Sequence, residues 1–221
     1  MCTDAFDKAQ KDYRDVKFLA HRGHWRTASE KNSFAAFERA WAAGHGIETD
    51  LRDRDGEIVV SHDPASASAA PFQSLLEAHA AQAPDTMLAL NVKADGLQVG
   101  IARLLAQRHA RNFFLFDMSV PDMLHYMRAG MPVFVRLSEY EPESGLLDRA
   151  AGIWLDAFES EWWTLDMVRA LCAKGKTVAV VSPELHGRPH QALWRQLAGL
   201  EQSVRDHLML CTDFPDAAAE L

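Results

Sequence analysis

Short apolar runs alternate with amphipathic helical runs along most of this 221-residue chain, and that rhythm restricts the fold more than any other feature. Nine segments read as strands: 17–21, 46–51, 57–61, 86–92, 112–116, 132–136, 152–156, 177–181 and 207–211. Most are continuous apolar stretches bounded by Gly, Pro or Asp, as strands covered on both faces are. Helical runs separate most of them. In the first, Phe34, Phe37 and Trp41 recur at helical spacing behind Ser33 as N-cap, with Gly44 near the end. The others cover 72–81, 99–109, 121–129, 165–173 and 190–197. Such repetition, with no linker or shift in composition, predicts a parallel sheet. No G-x-G-x-x-G follows the first strand, which argues against a dinucleotide-binding sheet. The prediction is an α/β fold, a single TIM-like (β/α)8 barrel over residues 16–221, behind a polar arm at 1–15. Eight strands close such a barrel, so one of the nine is accessory. The Asp53-Arg-Asp-Gly56 turn joins the second and third strands without a helix and marks where.

Composition narrows the partners. With 48% hydrophobic and 24% charged residues the chain can bury a substantial core unaided. A net charge of −8 and the lack of any Lys/Arg tract exclude binding driven by nucleic-acid or anionic-membrane electrostatics. No apolar run is long enough to span a bilayer, so no integral membrane association is expected. The N-terminus lacks the apolar stretch of a signal peptide, and Cys2, Cys172 and Cys211 have no metal-ligand spacing and cannot all pair within one chain. A reduced, cytoplasmic location is the simplest expectation.

In a barrel, the C-terminal strand ends carry the chemistry. Those ends read His21-Arg22, Glu48-Thr-Asp50, His62-Asp63, Asn91-Val-Lys93, Asp117, Arg136, Asp156, Glu184 and Asp213. Glu48 and Asp50 are two apart, so their side chains share one face of the strand. Converging carboxylates repel unless a cation or proton relieves them, and either a hard divalent ion or a neighbouring Arg or Lys would do so. His21 and His62 close two different strands; a neutral and a protonated imidazole there would suit acid–base cleavage, while a lone strand-end histidine is more often structural. Arg22 and Lys93 could grip a phosphate or form ordinary ion pairs.

Leu19-Ala-His-Arg-Gly23, Lys31-Asn-Ser-Phe-Ala-Ala-Phe37, Gly46-Ile-Glu-Thr-Asp50 and Val59-Val-Ser-His-Asp-Pro64 together resemble the glycerophosphodiester phosphodiesterase family in order and approximate spacing. Leu90-Asn-Val-Lys93 and Cys211-Thr-Asp-Phe-Pro215 are weaker echoes of that family's I-E-I-K strand and closing T-D-x-P. The resemblance implies a barrel hydrolysing a small-molecule phosphodiester with a divalent metal, Mg²⁺ or Ca²⁺. It makes His21 and His62 the acid–base pair, Glu48, Asp50 and Asn91 the metal ligands, and Arg22 and Lys93 the phosphate contacts.

Three departures modify that expectation. Asn91 stands where the family has a carboxylate, which predicts weaker metal binding. Lys31 replaces the acid of a P-E-N-T stretch. Only Ala65-Ser-Ala-Ser-Ala-Ala70 follows His62-Asp-Pro64, where glycerol-specific members carry a lid, so a more open mouth is expected. The aromatic run around Trp154 and the loop bearing Glu184, His186 and Arg188 are candidates for a substrate rim in its place, suited to a bulkier alcohol. A relative that binds a phosphorylated ligand without cleaving it, and a metal-dependent sugar isomerase or aldolase, are the competing readings.

Overall fold

Side chains alternate across a strand, so a run such as Phe18-Leu-Ala-His21 offers its two faces to two environments. In the computed structural model, which describes residues 18–220, those environments are a barrel interior and a surrounding layer of helices. The arm read at 1–15, with Cys2 and Lys17, lies outside the described residues. In chain order the elements begin with β1 (Phe18–His21), α1 (Phe34–Ala42), β2 (Gly46–Arg54), β3 (Glu57–Val60), β4 (Ala70–Pro71) and α2 (Phe72–Gln82). They continue with β5 (Leu88–Val92), α3 (Gln98–Gln107), β6 (Phe113–Phe116), α4 (Val120–Arg128), β7 (Phe134–Leu137) and β8 (Gly152–Leu155). The last are α5 (Leu165–Ala173), β9 (Thr177–Val181), α6 (Gln191–Ala198), α7 (Gln202–Arg205), β10 (Leu208–Thr212) and α8 (Pro215–Ala219).

Eight strands close on themselves. β1 pairs with β2, β2 with β5 and β5 with β6; β7 pairs with β8, β8 with β9, β9 with β10, and β10 returns to β1, all in parallel. The seam between β6 and β7 is a parallel bridge from Leu115 to Val133, beside which the Leu115 N–H donates to the Pro132 carbonyl at 2.9 Å. The expected (β/α)8 barrel is therefore present. Its ninth, accessory strand is β3, antiparallel to β2 across a turn in which Asp55 and Gly56 both have positive φ (50° and 85°). An Asp-Gly pair favours that two-residue hairpin geometry. The two-residue β4 extends the hairpin and is too short to show in a periodicity. The segment between β7 and β8 holds a Ser138–Glu141 bridge and a 3-10 turn, Leu147–Arg149, in place of an α-helix, leaving a gap in the helical ring.

Ser33 caps α1 as expected, its Oγ accepting from the Ala36 N–H, and Phe37 and Trp41 are buried against the strands. Within the barrel, Leu19, Ala89, Phe114, Phe116, Phe134, Trp154, Ala179, Val181, Met209 and Cys211 belong to a separate cluster. Phe114 stacks on Phe134 and Phe116 on Trp154, with centroids 3.8 and 4.0 Å apart. This aromatic filling explains Gly152: a Cβ there would lie 2.5 Å from the Phe134 ring. Among the described residues no helix is long and apolar enough to cross a membrane. Cys172 and Cys211 are buried free thiols.

Candidate active site

The inward parity that fills the barrel continues upward into charged groups. Two residues beyond Leu19 comes His21; beyond Ala89 come Asn91 and then Lys93; beyond Phe134, Arg136; beyond Trp154, Asp156; beyond Cys211, Asp213. On β2 both Glu48 and Asp50 hold inward register, level with Ala89 and Asn91 of β5.

Both carboxylates are sealed from solvent, Glu48 at 2% and Asp50 at 0% exposure. Asp50 accepts a hydrogen bond from Asn32 Nδ2 at 2.9 Å and lies 3.3 Å from Arg22 Nε and 3.5 Å from Lys93 Nζ. Lys93 also reaches Asp117, which is paired with Arg136. Glu48 accepts from the Arg22 backbone N–H at 3.2 Å. Two successive left-handed residues, Arg22 (φ 55°) and Gly23 (φ 84°), aim that N–H, and a Cβ on Gly23 would sit 2.8 Å from Ala36 Cβ. Local crowding and chirality thus demand the glycine of the His-Arg-Gly run. Burial, and then the neighbouring Asp50 charge, push the Glu48 carboxyl up to about 8.

His21 Nδ1–H donates to Asp213 Oδ1 at 2.7 Å, which leaves Nε2 as the accepting nitrogen, 4.0 Å from Glu48. Burial pulls the His21 pKa below its ordinary value despite Asp213. Asp213 itself is lowered, because its bond to His21 and the nearby Lys31 outweigh the effect of burial. The β2–β3 hairpin carries His62 to the same end: Ser61 N–H donates to the Asp50 carbonyl at 3.0 Å, and Arg52 Nε to the His62 carbonyl at 2.9 Å. The His62 side chain is 42% exposed, and its Nδ1–H donates to Asp63 at 2.9 Å. The Ala/Ser link after it makes one turn and enters β4, with no lid.

The rim expected from Trp154, Glu184 and Arg188 is built otherwise. Trp154 does not stand on the rim; parity puts its ring inside the barrel, where it is 4% exposed and stacked on Phe116. Glu184 ties loops together, accepting from Ser182 Oγ, Thr212 Oγ1 and the Asp213 N–H. Arg188 donates to the Ala157 carbonyl. Beside them His186 donates to Asp156 at 2.7 Å.

Among the described residues no three His, Cys, Asp or Glu side chains form a metal-binding group. The oxygen set nevertheless suits a hard cation. Asp50 Oδ1 and Asn91 Oδ1 lie on residues in register across β2 and β5, and both are buried without a hydrogen-bond partner. Glu48 beside them retains its proton to unusually high pH, because burial and the Asp50 charge outweigh the nearby Lys93 and Arg22. Asn32, given no role in the Lys31–Phe37 run that carries the resemblance, accepts at its amide from Thr49 Oγ1 and donates to Asp50; its φ of 61° suits an asparagine. Asp117, noted only as a charged strand end, links the Lys93 and Arg136 cations.

No family model matches the chain, and no curated protein does. Solved structures do. A glycerophosphodiester phosphodiesterase from Agrobacterium tumefaciens aligns with a TM-score of 0.68 at 19% identity, over 93% of this chain and 100% of that one. The Thermotoga maritima glycerophosphodiester phosphodiesterase gives 0.62 at 18%, over 93% and 98%. An Oleispira antarctica phosphodiesterase, solved with the product sn-glycerol-3-phosphate, gives 0.67 at 15%, over 93% and 97%. At such identities the likeness is one of fold, which sites of different chemistry can share.

Proposed function

We propose that the chain is a phosphoric diester hydrolase of the glycerophosphodiester phosphodiesterase kind, acting on a small-molecule phosphodiester. One observation carries the reading: an Asp-oriented imidazole, two buried carboxylates and two cationic side chains converge at one barrel mouth. The solved phosphodiesterases of the same fold support it. In this reading Glu48, Asp50 and Asn91 hold Mg²⁺ or Ca²⁺, which when bound would withdraw charge from the phosphate. Arg22 and Lys93 attract and orient the anionic diester. His21, kept neutral by burial and fixed in one tautomer by Asp213, takes the nucleophile's proton at Nε2. His62, at the half-exposed edge, returns a proton to the departing alkoxide. Location in the cytoplasm remains part of the proposal.

The test is a panel of phosphodiesters assayed with Mg²⁺, Ca²⁺ or Mn²⁺ and after EDTA. Release of alcohol that EDTA abolishes and divalent ions restore is expected. Binding of phosphodiesters without any turnover would replace the hydrolase with a phosphoryl-ligand binder.

A further inference from the structure

A second imidazole–carboxylate pair stands at the mouth, outside the machinery above. Asp156 is buried at the end of β8, and His186 belongs to the 3-10 turn that follows β9. His186 Nε2–H donates to Asp156 Oδ1 at 2.7 Å, and the ring meets Phe158 edge-on at 5.0 Å. Its other nitrogen, Nδ1, has no hydrogen-bond partner among the described residues, on a side chain that is 22% exposed. The wall around it is rigid by other means. Trp162 Nε1–H donates to the Asp156 carbonyl at 2.7 Å, Arg188 donates to the Ala157 carbonyl, and the Arg136 guanidinium lies over Phe158. Asp156 accepts from His186 and, locally, from the Ala157 N–H at 2.9 Å; its one bond to another loop aims the imidazole, where backbone carbonyls already join the loops.

We propose that His186, positioned by Asp156, presents Nδ1 to a hydroxyl of the alcohol esterified to the phosphate, and so determines specificity for hydroxylated alcohols. This rests on the phosphodiesterase reading. A site built to hydrogen-bond a substrate hydroxyl penalises the analogue that lacks it, because its own polar group is then left unpaired. The experiment compares kcat/KM for two diesters with the same leaving group, 4-nitrophenyl glyceryl phosphate and 4-nitrophenyl propyl phosphate. Wild type is expected to favour the glyceryl diester at least ~10-fold. His186→Phe, which keeps a ring without the nitrogen, should cut that ratio ~10-fold, and His186→Asn, which retains a polar atom near Nδ1, should hold most of it. Asp156→Asn, which weakens the ring's anchor, should lower the ratio in the same direction. Equal cleavage of both diesters by wild type, or a ratio unmoved in His186→Phe, would overturn the role of His186 alone. Wild-type silence toward both, with every metal, would overturn the hydrolase reading beneath it.

Discussion

The two sides of the barrel mouth use similar strand ends to opposite effect. On the side of β1, β2, β5 and β10, Asn91 Oδ1 has no hydrogen-bond partner, Asp50 Oδ1 has none beyond the Lys93 ammonium 3.5 Å away, and Glu48 holds its proton to about pH 8. Across from it, around β8 and β9, the acids are satisfied: Glu184 accepts three hydrogen bonds, and Asp156 accepts from His186 and the Ala157 N–H. Buried polar atoms are ordinarily paired, so the concentration of unpaired oxygens on one side marks where a ligand completes the structure. The paired side holds a wall in place, with His186 as the substrate contact proposed on it.

Substitutions can break this contrast. The largest effect is expected on the unsatisfied side: His21→Ala should lower kcat/KM by roughly 10²–10⁴-fold in protein that still folds. Turnover near wild-type rates across several diesters would remove the proposed mechanism. Next comes the satisfied side. Glu184→Ala removes the acceptor of Ser182 Oγ, Thr212 Oγ1 and the Asp213 N–H, the two hydroxyls buried, and should cost about 2–4 kcal/mol. Thermal melts should then fall by roughly 5–10 °C, and an unchanged Tm would mean the loops close without this hub.

A third substitution should move stability the other way. Between pH 4.5 and about 8 folded Glu48 binds more protons than it would unfolded, so its contribution to stability is lost as pH rises through that window. Glu48→Gln, in metal-free buffer, should therefore melt roughly 5 °C above wild type at pH 8.5 and at the same temperature near pH 5. His21 has the reverse sign: its lowered pKa gives stability that is lost as pH falls below 6.5. A lower Tm for Glu48→Gln at both pH values would show that Glu48 is already compensated in the free protein.

What was legible in the sequence follows the same division. Strand parity puts Glu48 beside Asp50 and raises His21 over Leu19, and the Asp-Gly turn reveals which strand lies outside the barrel. These are local signals with a fixed period. Trp154 belongs to an aromatic run that suggests a rim, but its place two residues before Asp156 on an inward-facing strand puts it in the interior. Glu184 was harder, because its partners Thr212 and Asp213 lie 28 and 29 residues away and only the closed barrel brings them together. Asn32 depends on a left-handed backbone that no periodicity reports.

Asn91 gives the finest discrimination between the two sides. Its amide oxygen is unpaired and its backbone is in register with Asp50, so a carboxylate in its place would add a unit of charge without new geometry. Asn91→Asp should tighten Mg²⁺ or Ca²⁺ binding by ~10-fold and Asn91→Leu should weaken it, both read by titration calorimetry without substrate. Binding to wild type below pH 8 should also release close to one proton from Glu48, visible as a dependence of the heat on the buffer's ionisation enthalpy. Indifference of affinity to both Asn91 variants would transfer the third oxygen to another residue. Proton release that persisted in Glu48→Gln would place the titrating group elsewhere and dissolve the distinction between a poised side of the mouth and a finished one.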